Sequence, residues 1–538
     1  MQKSRVAPET VHTRHDMVRS VDRSCFDVVV IGAGINGAGI ARDAAMRGLK
    51  VLLVDKGDIA SGASSASTRL IHGGLRYLEH FEFGLVRESL VERENLLRIA
   101  PHLVRPLAIT IPIYKQNKRG PALVRAGMMA YDLLSWRKSL PGHRMLSRTE
   151  TLTRLPGLNP AGLLGSALYF DAQVEFAERL VMENVLAAQD HGTEVLTYTP
   201  VTGLRLTEAM GHAVEVLSDN GGTRLVQASV IINAAGPWID QLLRRTPLAS
   251  PKLIGGTKGS HIVVPPFEGA PAGAIYVEAR ADKRPFFIIP WNHQYLIGTT
   301  DVPFEDDPDQ TSSDAWEIDY LLAETNAVFP DAKLKRDQVL FTYSGVRPLP
   351  ATSETEARSI TRRHFIREHP QVGNLLSIVG GKLTTYRSLA EECVDLIFRK
   401  LGKRSPPCRT QRDVLPGAAE YHSFAKTFRE SDWSTSQDRE RLLRVYGSRA
   451  AAVAQVDQDP ITAEVVFAFQ EEDATSLADC FLRRTMFGLD GDSGFDRLES
   501  AADVCRRYLG WSEARAKREI EAYRTLTAEK FGVKFHSH

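Results

Sequence analysis

The sequence predicts an α/β fold in three parts: a parallel-sheet unit that opens the chain, a mixed-sheet region and a helical C-terminal region. Three observations predict it. A strand, a glycine-rich turn, a helix and a second strand follow one another within residues 26–55. Short β-branched runs separated by turn residues fill much of residues 201–300. Beyond about residue 410, after a proline-containing linker at 405–407, the pattern is helical and charged.

The opening segment has the pattern of a complete Rossmann-like βαβ unit. Residues 26–31 are apolar and β-branched, as in a buried strand, and a helical pattern then runs to Arg47 and is stopped by Gly48. A second apolar run, residues 51–54, predicts the next strand. The segment has the length of the βαβ unit that carries a dinucleotide fingerprint.

The turn between the first strand and the helix indicates a bound dinucleotide. Gly32, Gly34 and Gly37 form a G-x-G-x-x-G motif, and Asp55 ends the second strand. The first glycine permits a tight turn, the second lets the backbone approach a pyrophosphate, and the third lets helix and strand pack closely. Asp55 is placed to accept a hydrogen bond from the adenosine ribose, and its charge disfavours a 2′-phosphate and therefore NADP.

Two later segments favour FAD over NAD. Residues 231–236 form a strand followed by small residues, and residues 380–385 form a second glycine turn that opens a helix. Two further sites of close backbone approach suit a long, extended cofactor better than a nicotinamide that must leave after each turnover.

The remaining pattern predicts two helices and a series of strands. One helix is expected over 82–99 and another over 172–191, with Asp171 as its N-cap and Gly192 at its end. The expected strands are 201–206, 213–217, 224–233, 261–264, 286–289 and 295–297.

Composition, charge and cysteine spacing exclude several classes. With 43% hydrophobic and 25% charged residues, the chain is not disordered or collagen-like. The 67 Lys and Arg nearly balance the 66 Asp and Glu, so we expect no nucleic-acid partner. No stretch reaches the ~18 apolar residues of a membrane span. Five scattered cysteines without C-x-x-C predict neither disulfides nor a metal site.

With these residues in view, the chain resembles the FAD-dependent (aerobic, respiratory) glycerol-3-phosphate dehydrogenases. They belong to the glutathione-reductase-like flavoproteins that include the D-amino-acid oxidase family. The resemblance covers about residues 26–398; it departs at Asp55, where the family usually has glutamate, and at INAAG, where many flavoproteins have A-T-G. The matching segments are IGAGINGAGIARDAAMRG (31–48), SSASTRLIHGGLRYLEH (64–80), INAAGPW (232–238), KGSHIVVP (258–265), IPWNHQYLIGTTDV (289–302), TYSGVRPL (342–349) and GGKLTTYR (380–387).

The resemblance implies a Rossmann-like FAD-binding domain, a mixed-sheet substrate domain and an α-helical cap. It implies oxidation of sn-glycerol 3-phosphate to dihydroxyacetone phosphate by hydride transfer to FAD, with electrons passed to membrane quinone. Residues 1–24 are expected to form a disordered extension without a secretory signal. The expected domains are an FAD-binding domain (25–80, 160–255 and 340–400), a substrate-binding and membrane-facing domain (81–159 and 256–339) and a helical domain (405–538).

The glycine turn and the matching segments together give the expected cofactor contacts. The backbone N–H groups at a helix N-terminus suit the pyrophosphate, and small residues suit close approach of the flavin. The expected contacts are Gly32, Gly34, Ile35, Asn36, Gly37, Asp55, Ser64, Ser65, Ser67, Thr68, His72, Gly73, Gly74, Ala235, Gly236, Gly345, Gly381, Lys382, Leu383 and Thr384.

The implied substrate needs fixed positive charge at one end and a proton acceptor at the other. Arginine binds phosphate oxygens bidentately, and a neutral histidine is a suitable base near pH 7. His261 is the first candidate base and His72 the second, while Lys382 is suited either to the reduced flavin or to the phosphate. The expected catalytic residues are His261, Arg347 and Lys382, and the expected substrate contacts are those three with Arg76, Tyr77 and Arg362.

Residues 114–138 mix basic and apolar side chains in a way that suits an anionic lipid surface. An ordinary amphipathic helix packed on its own domain has the same pattern. The resemblance favours a membrane and leaves a bacterial and a mitochondrial inner membrane both open. The lack of a recognisable calcium-binding loop or transit peptide favours the cytoplasmic face of a bacterial inner membrane, and a homodimer is left open. The basic residues are Lys115, Lys118, Arg119, Arg125, Arg137 and Lys138, and the apolar ones are Leu123, Val124, Met128, Met129, Tyr131, Leu133, Leu134 and Trp136.

Other functions share these residues. An oxidase would pass the electrons to O₂ and make hydrogen peroxide, and a more distant alternative oxidises amines. A non-catalytic protein would use FAD as a redox sensor. The clustered cations favour a phosphate over an amine, and the intact set of candidate site residues argues against a sensor.

Overall fold

Two β-sheets and a helical region make up the computed structural model, which describes residues 25–136, 138–205, 212–217, 221–246, 248, 250–351, 363–369 and 371–533. The strands are β1 (Cys25–Ile31), β2 (Val51–Val54), β3 (Leu70–Ile71), β4 (Val104–Tyr114), β5 (Arg144–Ser147), β6 (Leu163–Val174), β7 (Glu194–Leu196), β8 (Val201–Arg205), β9 (His212–Leu217), β10 (Thr223–Asn233), β11 (Thr257–Val264), β12 (Ala274–Glu278), β13 (Pro285–Trp291), β14 (Gln294–Gly298), β15 (Val302–Pro303), β16 (Phe341–Arg347), β17 (Phe365–Glu368) and β18 (Leu375–Val379).

Helices lie between these strands and form most of the chain after residue 415. They are α1 (Ile35–Met46), α2 (Phe83–Ile99), α3 (Pro121–Leu134), α4 (Arg148–Arg154), α5 (Ala177–Gln189), α6 (Ile239–Leu243), α7 (Ala315–Val328), α8 (Tyr386–Lys400), α9 (Tyr421–Arg429), α10 (Ser436–Tyr446), α11 (Ala450–Val456), α12 (Pro460–Glu471), α13 (Leu477–Asp479), α14 (Phe495–Tyr508) and α15 (Glu513–Phe531).

The first sheet grows from the predicted βαβ unit. Its order is β17-β18-β10-β1-β2-β7, and the hairpin β8–β9 is attached to β10. β1 pairs in parallel with both β2 and β10, and its residues from Val28 to Val30 are fully buried. Strands buried on both faces read as continuous apolar runs, which is why the sequence predicts them well. Helix α1 packs against α5 and α8 on one face of this sheet.

The second sheet is mixed, with the order β15-β11-β14-β13-β12-β4-β6-β3, and β16 and β5 pair with β11 and β6. β12 pairs in parallel with β4, whereas β11 is antiparallel to β14, β15 and β16. Helix α7 packs on one side, where Leu321 and Phe329 lie in a core with Ile262. This sheet carries several of the polar side chains that face the main cleft of the molecule.

The prediction of a helix over 172–191 is wrong at its start. β6 continues to Val174, and the helix begins only at Ala177. Asp171 is therefore no N-cap: its buried carboxylate accepts hydrogen bonds from Arg93 (2.6 Å) and Tyr131 (2.7 Å). Those partners come from other elements, so the local pattern could not reveal them.

Three strands lie in the second sheet although the expected divisions put them in the FAD-binding domain. They are β3, β6 and β16, which pair with β6, β4 and β11 respectively. The ranges 25–80, 160–255 and 340–400 therefore contribute strands to both sheets. Each of these pairings joins strands that are distant in the chain. The division into domains otherwise stays a prediction.

The region after residue 415 is helical, as predicted. It packs against the rest of the chain through buried ion pairs, among them Arg179 Nη1 with Glu472 Oε2 (2.5 Å). At its end, Phe531 packs edge-to-face against Phe341 of β16. In the described ranges no helix is both long and apolar enough to cross a bilayer. The extension 1–24 lies outside the described residues.

Candidate cofactor and substrate site

The glycine turn after β1 tolerates no side chain at two positions. Gly32 has φ +111°, and a Cβ there would lie 2.6 Å from the carbonyl oxygen of Ala234. A Cβ on Gly37 would lie 1.8 Å from the carbonyl oxygen of Gly32. Both approaches are closer than real contacts allow, so the turn and the start of α1 require glycine for steric reasons.

Asp55 and Ser64 secure this turn. The Asp55 carboxylate accepts hydrogen bonds from the backbone N–H groups of Ala33 (2.6 Å) and Gly57 (2.8 Å). Burial raises the pKa of Asp55, whereas these two donors act to lower it. The N–H of Ile35, at the start of α1, donates to Ser64 Oγ (2.9 Å). The turn is thus held in shape by groups of the residues that the sequence assigned to the cofactor.

Segments far apart in the chain meet at the N-terminus of α1. The side-chain amide of Asn36 donates to the carbonyl oxygen of Gly380 (3.4 Å), and a Cβ on Gly381 would lie 2.9 Å from that amide nitrogen. Gly380 and Gly381 have φ values of +76° and +95°. The backbone of Ala234 also approaches Gly32 closely. The turns at Gly32, Ala234 and Gly380 therefore lie next to one another, as an extended cofactor would require.

A cleft of about 1210 Å³ runs from this turn to the second sheet. It exceeds the roughly 300–1,000 Å³ that a drug-sized ligand needs, so it has room for a dinucleotide and a small substrate. At the first end Trp238 Nε1 and Asn36 Oδ1 are buried without a hydrogen-bond partner among the described residues. Such groups need partners, and together with the glycine cradle they fit FAD.

The cleft lining contains most of the expected cofactor contacts. Gly37 and Gly73 are not part of this lining. The N–H of Gly73 donates to Tyr131 OH of α3 (2.9 Å), and a contact of either glycine with the cofactor stays a prediction. The expected contacts that line the cleft are Gly32, Gly34, Ile35, Asn36, Asp55, Ser64, Ser65, Ser67, Thr68, His72, Gly74, Ala235, Gly236, Gly345, Gly381, Lys382, Leu383 and Thr384.

His261 on β11 lies at the opposite end of the cleft. Its ring is 1% exposed, stacks on Tyr343 at 4.9 Å and places Nε2 2.9 Å from Thr68 Oγ1. Nδ1 has no hydrogen-bond partner among the described residues. Burial, followed by the charges of Arg347 and Arg69, lowers the pKa of His261 well below its usual value. The imidazole is therefore neutral near pH 7.

Arg347, at the end of β16, belongs to a cluster of two arginines around Asp301. Its Nη1 lies 3.1 Å from Asp301 Oδ1, and its Nη2 donates to Thr299 Oγ1 (2.9 Å). Arg284 Nη2 lies 2.6 Å from the second oxygen of Asp301. The sequence reasoning missed Arg284 and Asp301, although Asp301 stands within the segment 289–302. Two guanidinium groups and one carboxylate leave net positive charge at this end.

Lys382 and Tyr77 lie together in the same cleft. The ammonium group of Lys382 is 3.9 Å from the centre of the Tyr77 ring and 3.3 Å from Ser89 Oγ. His72 meets Phe287 edge-to-face, and its backbone N–H donates to Thr384 Oγ1 (3.2 Å). The side chain of Arg76 and the whole of Arg362 lie outside the described residues.

Arg69 is a further cleft residue that the sequence reasoning missed. It is 1% exposed, and both its Nη atoms lie 2.8 Å from the carboxylate of Glu178. Its guanidinium stacks on Trp291, 4.6 Å from the ring centre. Its position within SSASTRLIHGG, one of the matching segments, could have marked Arg69 as a site residue. Its buried partner Glu178, however, lies 109 residues away in the chain. Within the described residues no group of His, Cys, Asp and Glu could hold a metal ion.

Comparison with known proteins places this geometry in a family. The FAD dependent oxidoreductase family matches residues 27–396, and the C-terminal domain of alpha-glycerophosphate oxidase matches residues 408–516. A glycerol-3-phosphate dehydrogenase of Synechocystis sp. is 46% identical over 533 residues, which cover 94% of this chain and 96% of the relative. A D-erythritol 1-phosphate dehydrogenase of Brucella abortus is 40% identical over 85% of this chain and 94% of its own.

A solved structure shares the whole architecture. The glycerol-3-phosphate dehydrogenase from Bacillus halodurans complexed with FAD superimposes with a TM-score of 0.80 and 26% identity, covering 98% of this chain and 99% of that one. The predicted α/β fold, with its FAD-binding unit and helical C-terminal region, is thereby confirmed. The chain belongs to the FAD-dependent oxidoreductase family and, within it, to the FAD-dependent glycerol-3-phosphate dehydrogenases.

Proposed function

We propose that this protein oxidises sn-glycerol 3-phosphate to dihydroxyacetone phosphate, with FAD as the hydride acceptor. One observation carries the proposal: a single cleft is lined by the glycine turn at Gly32, by the cations Arg347 and Lys382 and by a neutral His261. A small phosphorylated polyol needs these groups at one end of a flavin site.

The cations of the cleft suit the phosphate. Arg347 and Lys382 both line it, and charge-assisted hydrogen bonds to phosphate oxygens contribute roughly 1.5–3 kcal/mol each. Asp301 holds the Arg347 guanidinium in place through the 3.1 Å contact. Contacts of the phosphate with these cations would fix the orientation of the substrate in the cleft.

His261 is the proposed base for the substrate hydroxyl. Its Nδ1 takes the proton when Nε2–H donates to Thr68 Oγ1, a tautomer that the 2.9 Å contact allows. The low pKa of His261 keeps the ring neutral, so that a ring nitrogen is unprotonated, but it also makes the imidazole a weak base in the free enzyme. The phosphate then offsets the charge of Arg347 and makes the imidazole more basic in the complex. The hydroxyl hydrogen leaves as this proton, and the carbon-bound hydrogen leaves as hydride.

FAD, when bound, would supply the two-electron acceptor. Lys382 follows the Gly380–Gly381 turn, and its ammonium group would stabilise negative charge on the bound cofactor. Membrane quinone is the proposed final acceptor of the electrons.

Helix α3 is the proposed membrane contact. Only Met128 and Tyr131 of this helix are buried, whereas Leu133 and the following Trp136 are 68% and 74% exposed. Phe81, in the adjoining turn, is 78% exposed. An amphipathic helix packed on its own domain would bury such side chains. Exposed apolar residues in one area mark an interaction surface.

The basic residues around α3 are partly engaged. Arg119 pairs with Glu79 and Glu278, and Lys138 pairs with Asp132. Lys115, Lys118 and Arg125 are exposed and are available for anionic lipid headgroups, whereas Arg137 lies outside the described residues. We propose peripheral attachment to the cytoplasmic face of a bacterial inner membrane, and a homodimer stays a prediction.

Anaerobic substrate addition tests the reaction. The purified yellow protein is mixed with sn-glycerol 3-phosphate without oxygen, and the visible flavin band is followed. We expect the band to bleach. A flavin that stays oxidised at millimolar substrate contradicts the proposed activity. D-erythritol 1-phosphate is the comparison substrate because a relative of 40% identity is named for it. A larger kcat/KM for D-erythritol 1-phosphate than for sn-glycerol 3-phosphate would show that the proposed substrate is wrong.

The acceptor is tested separately because residues 408–516 match a domain of alpha-glycerophosphate oxidase. Turnover is measured with a soluble quinone analogue and with O₂, and peroxide is assayed in both cases. We expect fast quinone reduction and little peroxide. Stoichiometric peroxide at comparable rates favours the oxidase alternative.

Co-sedimentation with anionic vesicles tests the membrane surface. Leu133→Ser/Trp136→Ser is compared with Leu225→Ser, which changes a 37% exposed leucine on β10. We expect the α3 double variant to lose vesicle binding and the β10 variant to retain it. Equal binding by wild type and the α3 variant contradicts the proposed surface.

A further inference from the structure

The loop after β2, residues 55–60, is tied to the glycine turn at two points. Asp55 accepts from the N–H of Ala33 (2.6 Å), and the N–H of Ala60 donates to the carbonyl oxygen of Ala33 (3.1 Å). Asp58 lies between these anchors and is 1% exposed. Asp58 therefore lies within a short loop whose two ends both contact the glycine turn.

Two consecutive arginines of the C-terminal region converge on the Asp58 carboxylate. Arg483 Nε lies 2.5 Å from Oδ2, and the two Nη atoms of Arg484 lie 2.9 and 2.8 Å from Oδ2 and Oδ1. They stand on a π-helical turn, Cys480–Arg484, closed by a hydrogen bond from Thr485 N–H to the Cys480 carbonyl oxygen (2.8 Å). Successive side chains of a regular α-helix diverge by about 100°, and π-turns recur at functional sites.

A second connection reaches the same loop. The hydroxyl of Tyr198 donates to Asp479, and the N–H of Tyr198 donates to the carbonyl oxygen of Gly57 (2.9 Å). Burial acts to raise the pKa of Asp479, but the charges of Arg483 and Arg484 hold it at about 2. Asp479 is therefore ionised and binds Tyr198 strongly. Tyr198 and Arg483 both line the cleft.

We propose that the C-terminal helical region is part of the cofactor site. Arg483 and Arg484 are positioning residues: by fixing Asp58 they hold loop 55–60, and with it Asp55, in the geometry that binds the adenosine part of FAD. The inference rests on the proposed function in that FAD is the cofactor. The alternative is that Arg483 and Arg484 only stabilise the fold. A buried ion pair is by itself weak evidence for such a role.

The affinity of the full-length chain for FAD tests the proposal. Deflavinated wild type and Arg484→Met are titrated with FAD, and flavin fluorescence gives the dissociation constant. We expect Arg484→Met to weaken FAD binding about tenfold or more, since charged hydrogen bonds to the loop anchor are lost. With FAD saturating, kcat for sn-glycerol 3-phosphate should fall by less than the FAD affinity does, because Arg484 acts through loop 55–60 and is not part of the cleft lining.

Rescue and control variants separate positioning from stability. Asp58→Asn/Arg484→Gln removes both charges and keeps hydrogen-bonding groups, so FAD affinity should return to near the wild-type value. Arg444→Met breaks another link between the C-terminal region and the rest, the pair of Arg444 Nε with Glu175 Oε2 (3.1 Å). Neither residue of that pair lines the cleft, so FAD affinity should not change.

The outcomes are distinguishable. A lowered Tm in Arg484→Met with an unchanged FAD dissociation constant overturns the inference. Should Arg484→Met not fold, Arg484→Lys keeps the charge but loses the two-pronged contact, and a wild-type FAD affinity in that variant overturns the inference as well. A wild-type protein that binds no FAD contradicts the proposed function itself.

Discussion

The two ends of the cleft are built from different chemistry. At the cofactor end the course of the backbone shapes the site: Gly32 and Gly37 have no room for a side chain, and Asp55 accepts a hydrogen bond from the N–H of Ala33 in the turn. At the substrate end, side chains from separate strands converge, with His261 on β11 and Arg347 on β16. Backbone constraints leave a contiguous motif in the sequence, whereas a side-chain cluster depends on long-range strand pairing.

This difference predicts different responses to mutation. A Cβ at a forbidden glycine meets a backbone atom that cannot give way, so the effect is nearly all-or-none. Removing a charged side chain removes one of several contributions, so the effect at the substrate end is graded. The experiments below test this contrast, beginning with the largest expected effect.

Gly37→Ala should abolish FAD loading. Its Cβ would lie 1.8 Å from the Gly32 carbonyl oxygen, so the helix must move away from the turn that receives the pyrophosphate. The measurement is visible flavin absorbance per protein after purification. Gly84→Ala, in helix α2 with nothing within 4 Å of the added Cβ, is the control and should remain yellow. A yellow, active Gly37→Ala protein would refute the steric argument.

His261→Ala should keep FAD and lower kcat by about 10²–10⁴-fold, the usual contribution of general acid–base catalysis. Steady-state turnover with flavin content measured in parallel is the check. His212→Ala, which removes a buried histidine of β9 outside the cleft, should turn over normally. If kcat changes by less than about tenfold, the base is elsewhere, and His72→Ala becomes the informative variant.

Arg347→Ala should lower kcat/KM by about 10- to 150-fold, from a loss of roughly 1.5–3 kcal/mol at 1.4 kcal/mol per decade. Most of the change should appear in KM, since the charge binds the phosphate before and during reaction. Arg336→Ala removes a surface arginine paired with Asp319 and should match wild type. Unchanged KM in Arg347→Ala would remove this residue from the phosphate site.

The smallest expected effect is a shift of the pH profile. The wild-type acid limb of kcat/KM should lie below the ordinary histidine pKa of ~6.5, because burial and the charges of Arg347 and Arg69 lower the pKa of His261. Arg347→Gln removes one positive neighbour, so the pKa should rise and the acid limb should move to higher pH. An acid limb at the same or lower pH would show that His261 is not the titrating group.

The sequence predicted the opening βαβ unit closely, and it failed where the interaction partners are distant in the chain. β1, α1 and β2 fall within a residue or so of the expected bounds. Asp171 was expected to cap a helix, yet it lies in β6 against Arg93. A carboxylate before a helical pattern looks the same locally whether it caps the helix or pairs with a buried arginine.

The same limit applies to the cluster around Asp301. Neither Arg284 nor Asp301 forms a motif with Arg347, because strands β13 and β16 and the segment after β14 bring them together only in the folded sheet. The ion pair between Asp58 and Arg484 shows this limit more clearly, because the two residues are more than 400 positions apart in the chain.

By itself, the sequence determined that this protein has a glycine-rich dinucleotide turn, an acidic residue at the end of the second strand and a set of cations and histidines in recognisable segments. Those features can be read from short segments of sequence. A position where a Cβ would clash requires glycine, and a strand-to-helix turn constrains only the residues next to it. Only the tertiary structure decided which charges meet: that Asp301 joins two arginines, that Gly73 turns toward α3, and that the C-terminal helices reach the cofactor loop. Burial and pairing depend on groups far apart in the chain, and no local pattern records them.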